Sequence, residues 1–193
     1  MPAQAGMGRG VRGQGNLLPH SRIVGVLASL SIGNTPMPAR TRTDTASRLV
    51  RASPGAIYHA FVDAASLGRW LAPQGMHARI EHFEPVIGGS YRIVLSYDDP
   101  AGAPGKATAD SDVAEGRFVD LVPCERIVWE VSFPSDDPAF AGTMTMAWRL
   151  DEVRGGTEVT IHCENVPVGI GKEDHDAGLR STLENLAHFV EAA

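Results

Sequence analysis

Residues 172–191 read KEDHDAGLRSTLENLAHFVE. Leu179, Leu183, Leu186 and Val190 recur at helical spacing, with Ala187 and Phe189 beside them. Glu173, Asp174, Arg180, Glu184 and Glu191 fall largely on other faces. That spacing predicts an amphipathic helix of about five turns. Gly169 and Gly171 precede it, so a flexible loop delivers it. A helix this apolar on one side needs a surface to lie on. From Glu81 onward the chain upstream of it reads as short strands, so the surface is one antiparallel sheet. A long helix over a curved sheet leaves space between the two. That space is where function is expected.

Working back from the helix, Thr157 to Cys163 alternates, with Val159 and Ile161 inward and Glu158, Thr160 and His162 outward. Gly155-Gly156 marks the hairpin before it. Thr143 to Val153 puts Met144, Met146, Trp148 and Leu150 on one face, and Arg126 to Phe133 does the same with Ile127, Trp129, Val131 and Phe133. Val113 to Val122 is a strand that Pro123 breaks. Ser90 to Tyr97 presents Tyr91, Ile93, Leu95 and Tyr97 on one side, and Met76 to Phe83 is the strand before it. Asp98 to Asp110 and Pro134 to Gly142 read as surface loops. Further upstream, Ser53-Pro54 is a helix start, with Ser as N-cap and Pro at the first helical position. Asp63 caps a second short helix ending near Trp70, and Thr45 to Ala52 is the first strand. The order β-α-α-β-β-β-β-β-β-α is an α+β layout with one sheet and one dominant helix.

The 193 residues suffice for one domain with a sizeable core. Net charge is −6, and residues 1–36 contribute Arg9, Arg12 and Arg22 and no acid, so the rest is more acidic still. A body that acidic is a poor partner for nucleic acid or for an anionic membrane surface. Neither is expected as a partner. Two cysteines, Cys124 and Cys163, make no disulfide framework and read as reduced thiols of a cytoplasmic protein. Residues 1–43 read as a disordered, glycine-rich extension, with Met37 a natural start for the protein and a targeting segment as the alternative. Residues 44–193 form the domain.

A series of short motifs carries a family resemblance. They are Arg51-Ala52-Ser53-Pro54 before Ile57-Tyr58-His59-Ala60-Phe61, then Trp70-Leu71-Ala72-Pro73, then Pro85-Val86-Ile87-Gly88-Gly89-Ser90-Tyr91. Glu115-Gly116-Arg117-Phe118, Pro123-Cys124-Glu125-Arg126-Ile127-Val128-Trp129 and Gly155-Gly156-Thr157-Glu158-Val159-Thr160 follow in order. Together they resemble the START-like, or SRPBCC, superfamily, and within it the family named for the activator of heat-shock-protein-90 ATPase. The resemblance spans about residues 44–192. It departs where the family often has Gly-Trp near the start of the last helix and this chain has Gly178-Leu179. The resemblance implies a helix-grip fold: a seven-stranded antiparallel sheet wrapped around the C-terminal helix, with two short helices after the first strand and a cavity between sheet and helix. In the superfamily that cavity takes apolar molecules, and some members are cyclases or hydrolases.

Candidate ligand-binding residues are Trp70, Tyr91, Ile93, Glu115, Trp129, Val131, Met144, Met146, Trp148, Leu179 and Leu183. Trp and Met adapt to varied apolar ligands, although the same residues serve equally well as plain core. Trp70 is placed either at a cavity mouth or as a plug between helix and sheet. Glu115 and Arg117 share a strand face with Val119 and Leu121; if that face points inward, their buried charges would be useful for proton transfer, and otherwise they pair with each other or with neighbouring strands at the cavity edge. The helix face Leu179, Leu183 and Leu186 is expected to oppose Trp129, Met144, Met146 and Trp148 across a cavity of roughly 300–1,000 Å³. No histidine or cysteine pair has ligand spacing, and no nucleophile motif or phosphate loop is present, so neither metal nor cofactor is expected. The leading expectation is binding of a small apolar or amphipathic ligand without catalysis. Alternatives are a polyketide-cyclase-like enzyme using Glu115 with a neighbouring histidine or tyrosine, and a chaperone-interacting protein. A chaperone contact and a homodimer stay open as partners.

Overall fold

The protein's structure is a computed structural model that describes residues 42–98 and 111–192. The expected extension lies outside the described residues, apart from Arg42 and Thr43, which already belong to the first strand. Residues 99–110, most of the expected loop after Asp98, also lie outside them.

Seven strands form one antiparallel sheet: β1 (Arg42–Val50), β2 (Met76–Phe83), β3 (Ser90–Tyr97), β4 (Ser111–Val122), β5 (Arg126–Ser132), β6 (Met144–Val153) and β7 (Gly156–Val166). Their order across the sheet is β1-β7-β6-β5-β4-β3-β2, so six strands follow the chain as a meander and β1 closes onto the last strand. Among the described residues three α-helices accompany them: α1 (Pro54–Val62), α2 (Ala64–Trp70) and α3 (Lys172–Glu191). The α+β helix-grip architecture is therefore present.

The local chemistry explains the short helices. The Ser53 hydroxyl accepts from the Ala56 N–H at 3.2 Å, and the Asp63 carboxylate accepts from the Ser66 N–H at 2.7 Å. Each side chain satisfies one of the backbone donors that a helix leaves orphaned at its start. Pro54 occupies the first turn, where a missing N–H costs nothing. The loop between β5 and β6 contains a short 3-10 turn, Pro138–Phe140, that alternation in the sequence does not reveal. At the β6–β7 hairpin Gly155 has φ +96°, a conformation that a side chain disfavours.

One face of the sheet carries the core. An aromatic chain crosses it: Phe61 lies 4.7 Å from Trp70 and 4.8 Å from Trp148, and Tyr91, Phe118 and Trp129 pack on one another at 5.5–5.7 Å between ring centres. Most of these pairs meet edge to face, the arrangement that ring quadrupoles favour. The opposite face is solvated and laced with ion pairs. Glu81 accepts from Arg92 at 2.7 Å, Arg92 also pairs with Glu115, and Arg117 donates to Glu130 at 2.8 Å.

A bulge between Phe118 and Asp120 inserts one residue into β4. It parts Leu121 from the face that it was expected to share with Glu115 and Arg117. Glu115 and Arg117 lie on the outer, charged face, whereas Leu121, beyond the bulge, pairs with the buried Ile127 and returns to the inner side. One extra residue switches every later side chain to the other face.

Candidate functional site

The last helix makes its close backbone approaches to β1, α1 and α2, and none of comparable extent to the middle strands. Its two halves behave differently. Leu183, Leu186 and Ala187 are fully buried in the core. His175, Gly178, Leu179 and Thr182, one helical stripe nearer the start, border a cavity of about 580 Å³. Only Leu179 in that stripe is a large aliphatic residue. A carbon built onto Gly178 in the Cβ position would meet no atom within 4 Å. The space exists because this stripe is too small to reach the sheet.

The sheet supplies the opposite wall. Tyr91, Ile93, Leu95 and Tyr97 come from β3 and Ala114 from β4. Trp129 and Val131 come from β5, with Phe133 following it, and Met144, Met146 and Trp148 come from β6. Leu71 and Pro73 close one side after α2, and Phe140 and Ile170 close another from the loops. The wall is almost wholly apolar. A depression of similar size, about 570 Å³, lies at Pro54, Pro123 and Arg149, but it is walled largely by exposed charged residues and lacks that character.

Of the residues singled out from the sequence, Tyr91, Ile93, Val131, Trp129, Met144, Met146, Trp148 and Leu179 come together around the cavity. Three do not. Trp70 is buried behind it, its indole N–H donating to the Ala60 carbonyl at 3.0 Å and its ring against Phe61, so it is a plug between helix and sheet. Leu183 sits one turn too far along α3 and fills the core. Glu115 is on the outer face, paired with Arg92, and has no access to the cavity. The acid–base pair imagined around Glu115 is therefore not available inside.

Polar groups in the wall are mostly spent. The Tyr91 hydroxyl reaches over Gly116 and donates to the Glu130 carbonyl at 2.7 Å. Burial, then the Glu130 charge, push its pKa far above the ordinary phenol value, so it stays protonated. Gly116 is required here, because any side chain would strike the Glu130 carbonyl and the Tyr91 hydroxyl. The Thr182 hydroxyl donates back to the Gly178 carbonyl at 2.9 Å. The indole nitrogens of Trp129 and Trp148 are buried with no hydrogen-bond partner.

His175 belongs to no ligand-spaced pair in the sequence. It lines the cavity, and its Nδ1 lies 2.7 Å from the buried carboxylate of Asp44 on β1. Arg42 donates to the same carboxylate at 2.9 Å and to the Ile170 carbonyl at 2.7 Å. Lys172 stands 3.5 Å from the other Asp44 oxygen. Burial raises the Asp44 pKa, but the hydrogen bond from His175 and the charges of Arg42, His175 and Lys172 outweigh it and leave the carboxyl below its ordinary value. Among the described residues no three His, Cys, Asp or Glu side chains gather as a metal site.

Residues 51–191 match the family model described as Activator of Hsp90 ATPase homolog 1-like protein. The chain belongs to this family. The match covers most of the chain and nearly all of the described domain. Solved structures agree on the fold of this family member. A protein of Chromobacterium violaceum is 29% identical, with a TM-score of 0.68 over 77% of this chain and 96% of its own. A protein of Rhodobacter sphaeroides is 20% identical, with a TM-score of 0.62 over 78% of this chain and 93% of its own. An AHSA1-like protein of Aeromonas hydrophila is 17% identical, with a TM-score of 0.59 over 78% and 93%. No curated protein matches the chain. Among the described residues no helix is long and apolar enough to cross a membrane.

Proposed function

We propose that this domain binds an apolar or amphipathic small molecule in the cavity between the sheet and α3, without catalysing its conversion. The observation that carries the reading is the cavity itself, about 580 Å³ with a nearly continuous apolar wall. That volume falls within the range of roughly 300–1,000 Å³ usual for small-molecule sites, and such sites are mostly apolar with a few placed polar groups. A well-packed interior leaves few voids larger than one water molecule, so a space this size is not a packing defect. The displacement of Glu115 to the outer face removes the support for the cyclase-like alternative that rested on it.

Native mass spectrometry of the protein purified from its own host tests the reading, together with titration by the neutral apolar dye N-phenyl-1-naphthylamine. The expected result is a retained mass or saturable dye binding at one equivalent, with quenching of the emission from Trp129 and Trp148 in the wall. A protein that retains nothing and leaves the dye unbound at any concentration refutes the proposal.

A further inference from the structure

Asp44 and His175 lie 131 residues apart in sequence and meet at one end of the cavity. An ionised carboxylate can only accept, so the Nδ1 of His175 carries the hydrogen and donates it to Asp44 Oδ2 at 2.7 Å. Whenever the imidazole is neutral, this bond holds it in one tautomer, with a lone pair on Nε2. Nε2 makes no hydrogen bond among the described residues, and the ring lines the cavity. The backbone N–H of His175 donates to the Gly171 carbonyl at 2.9 Å, so the residue is held from both its main chain and its ring.

The surrounding charges decide what Nε2 receives. Neither Arg42 nor Lys172 lines the cavity. Arg42 pairs with Asp44 and Ile170, although its buried Nη2 has no hydrogen-bond partner, and Lys172 pairs with Asp176 at 2.8 Å. Asp174, in contrast, does line it. Asp44, Asp174 and Asp176 thus outnumber the two cations at this end, and an anionic head would meet the Asp174 carboxylate with neither cation lining the cavity to offset it. An uncharged donor suits the site.

We propose that the Asp44–His175 pair is the polar end of the cavity and selects an uncharged ligand bearing a hydroxyl, a phenol or alcohol, whose O–H donates to His175 Nε2. This rests on the cavity reading of the proposed function. Asp44 acts as a positioning residue, holding the imidazole in the accepting tautomer.

Displacement of N-phenyl-1-naphthylamine by three probes of one shape tests it: 2-naphthol, 2-methylnaphthalene and 2-naphthoate. In the wild type 2-naphthol should compete about fivefold better than 2-methylnaphthalene, the scale of one net hydrogen bond, and 2-naphthoate worst. In His175→Phe the advantage of 2-naphthol over 2-methylnaphthalene should vanish. Nitrogen NMR of the wild type keeps the test independent of how that variant folds. The Nε2 resonance should move with 2-naphthol and stay put with 2-methylnaphthalene, and Asp44→Asn should shift the imidazole toward the Nε2–H tautomer. Equal competition by 2-naphthol and 2-methylnaphthalene, an unmoved Nε2 resonance, or preference for 2-naphthoate overturns this inference and leaves the cavity standing. Failure of every probe and of the dye overturns both.

Discussion

Replacing Gly178 separates an empty wall from a packed one. Glycine within a helix costs about 1 kcal/mol relative to alanine. Gly178 is seven residues into α3, and a Cβ there meets nothing within 4 Å. Gly178→Ala should therefore stabilise the domain by about that amount, raising Tm by roughly 2–4 °C for a chain of this size. It should leave dye binding close to wild type, since one methyl group takes a small share of 580 Å³. Gly178→Phe carries the argument further. A buried phenylalanine gains about 1.5–3 kcal/mol when it leaves water. If the ring enters the cavity, thermal unfolding followed by circular dichroism should show a Tm at or above wild type. Affinity for N-phenyl-1-naphthylamine should then fall at least about tenfold, because the ring and the dye compete for one space. Overpacking a filled core costs about 1–3 kcal/mol instead. A Gly178→Phe protein that is destabilised by that amount, or that is stable and still binds the dye normally, refutes the account of this wall.

Gly116→Ala should destabilise by about 1–3 kcal/mol, because its Cβ overlaps the Glu130 carbonyl and displaces the Tyr91 hydroxyl; urea unfolding measures it, and an unchanged midpoint contradicts the close approach. Cys163 is buried, and burial followed by the charge of Asp44 pushes its thiol up to about 12, whereas Cys124 is exposed. Iodoacetamide at pH 8 should therefore modify one cysteine in the native protein, Cys124 by peptide mapping, and both in urea, since the thiolate is the nucleophile.

Much of the fold was legible where alternation or helical spacing was strong. Residues 76–83, 90–97 and 172–191 form the elements that their patterns predict, with the same ends. The first strand starts at Arg42 because Arg42 and Asp44 engage Ile170 and His175, contacts with no local signature in a polar stretch. The bulge in β4 likewise leaves no mark that a period-two reading can detect, and Leu121 was grouped on one face with Glu115 and Arg117 for that reason. The aromatic and methionine wall was readable because its residues share strand faces. Which turn of α3 faces space and which faces core was not, since Leu179 and Leu183 are chemically alike and only the distance to the sheet tells them apart. His175 has no ligand-spaced partner and so carried no signal in the sequence. Its role depends on a carboxylate at the far end of the chain.

The closing of β1 onto β7 has a consequence for how the molecule is made. Residues 42–50 leave the ribosome early and find their partners only in residues 157–166. The Thr157 hydroxyl donates to the Ala52 carbonyl, 105 positions away in the chain. Closing so long a loop is entropically costly, and topologies rich in such contacts fold slowly. Until β7 is synthesised, β1 has no neighbour in the sheet. Until α3 follows, the apolar wall of β3 to β6 has no roof and Asp44 has no imidazole. The cavity is thus the last part of the molecule to exist, and a nascent chain that stops short of Lys172 presents that wall as bare hydrophobic surface.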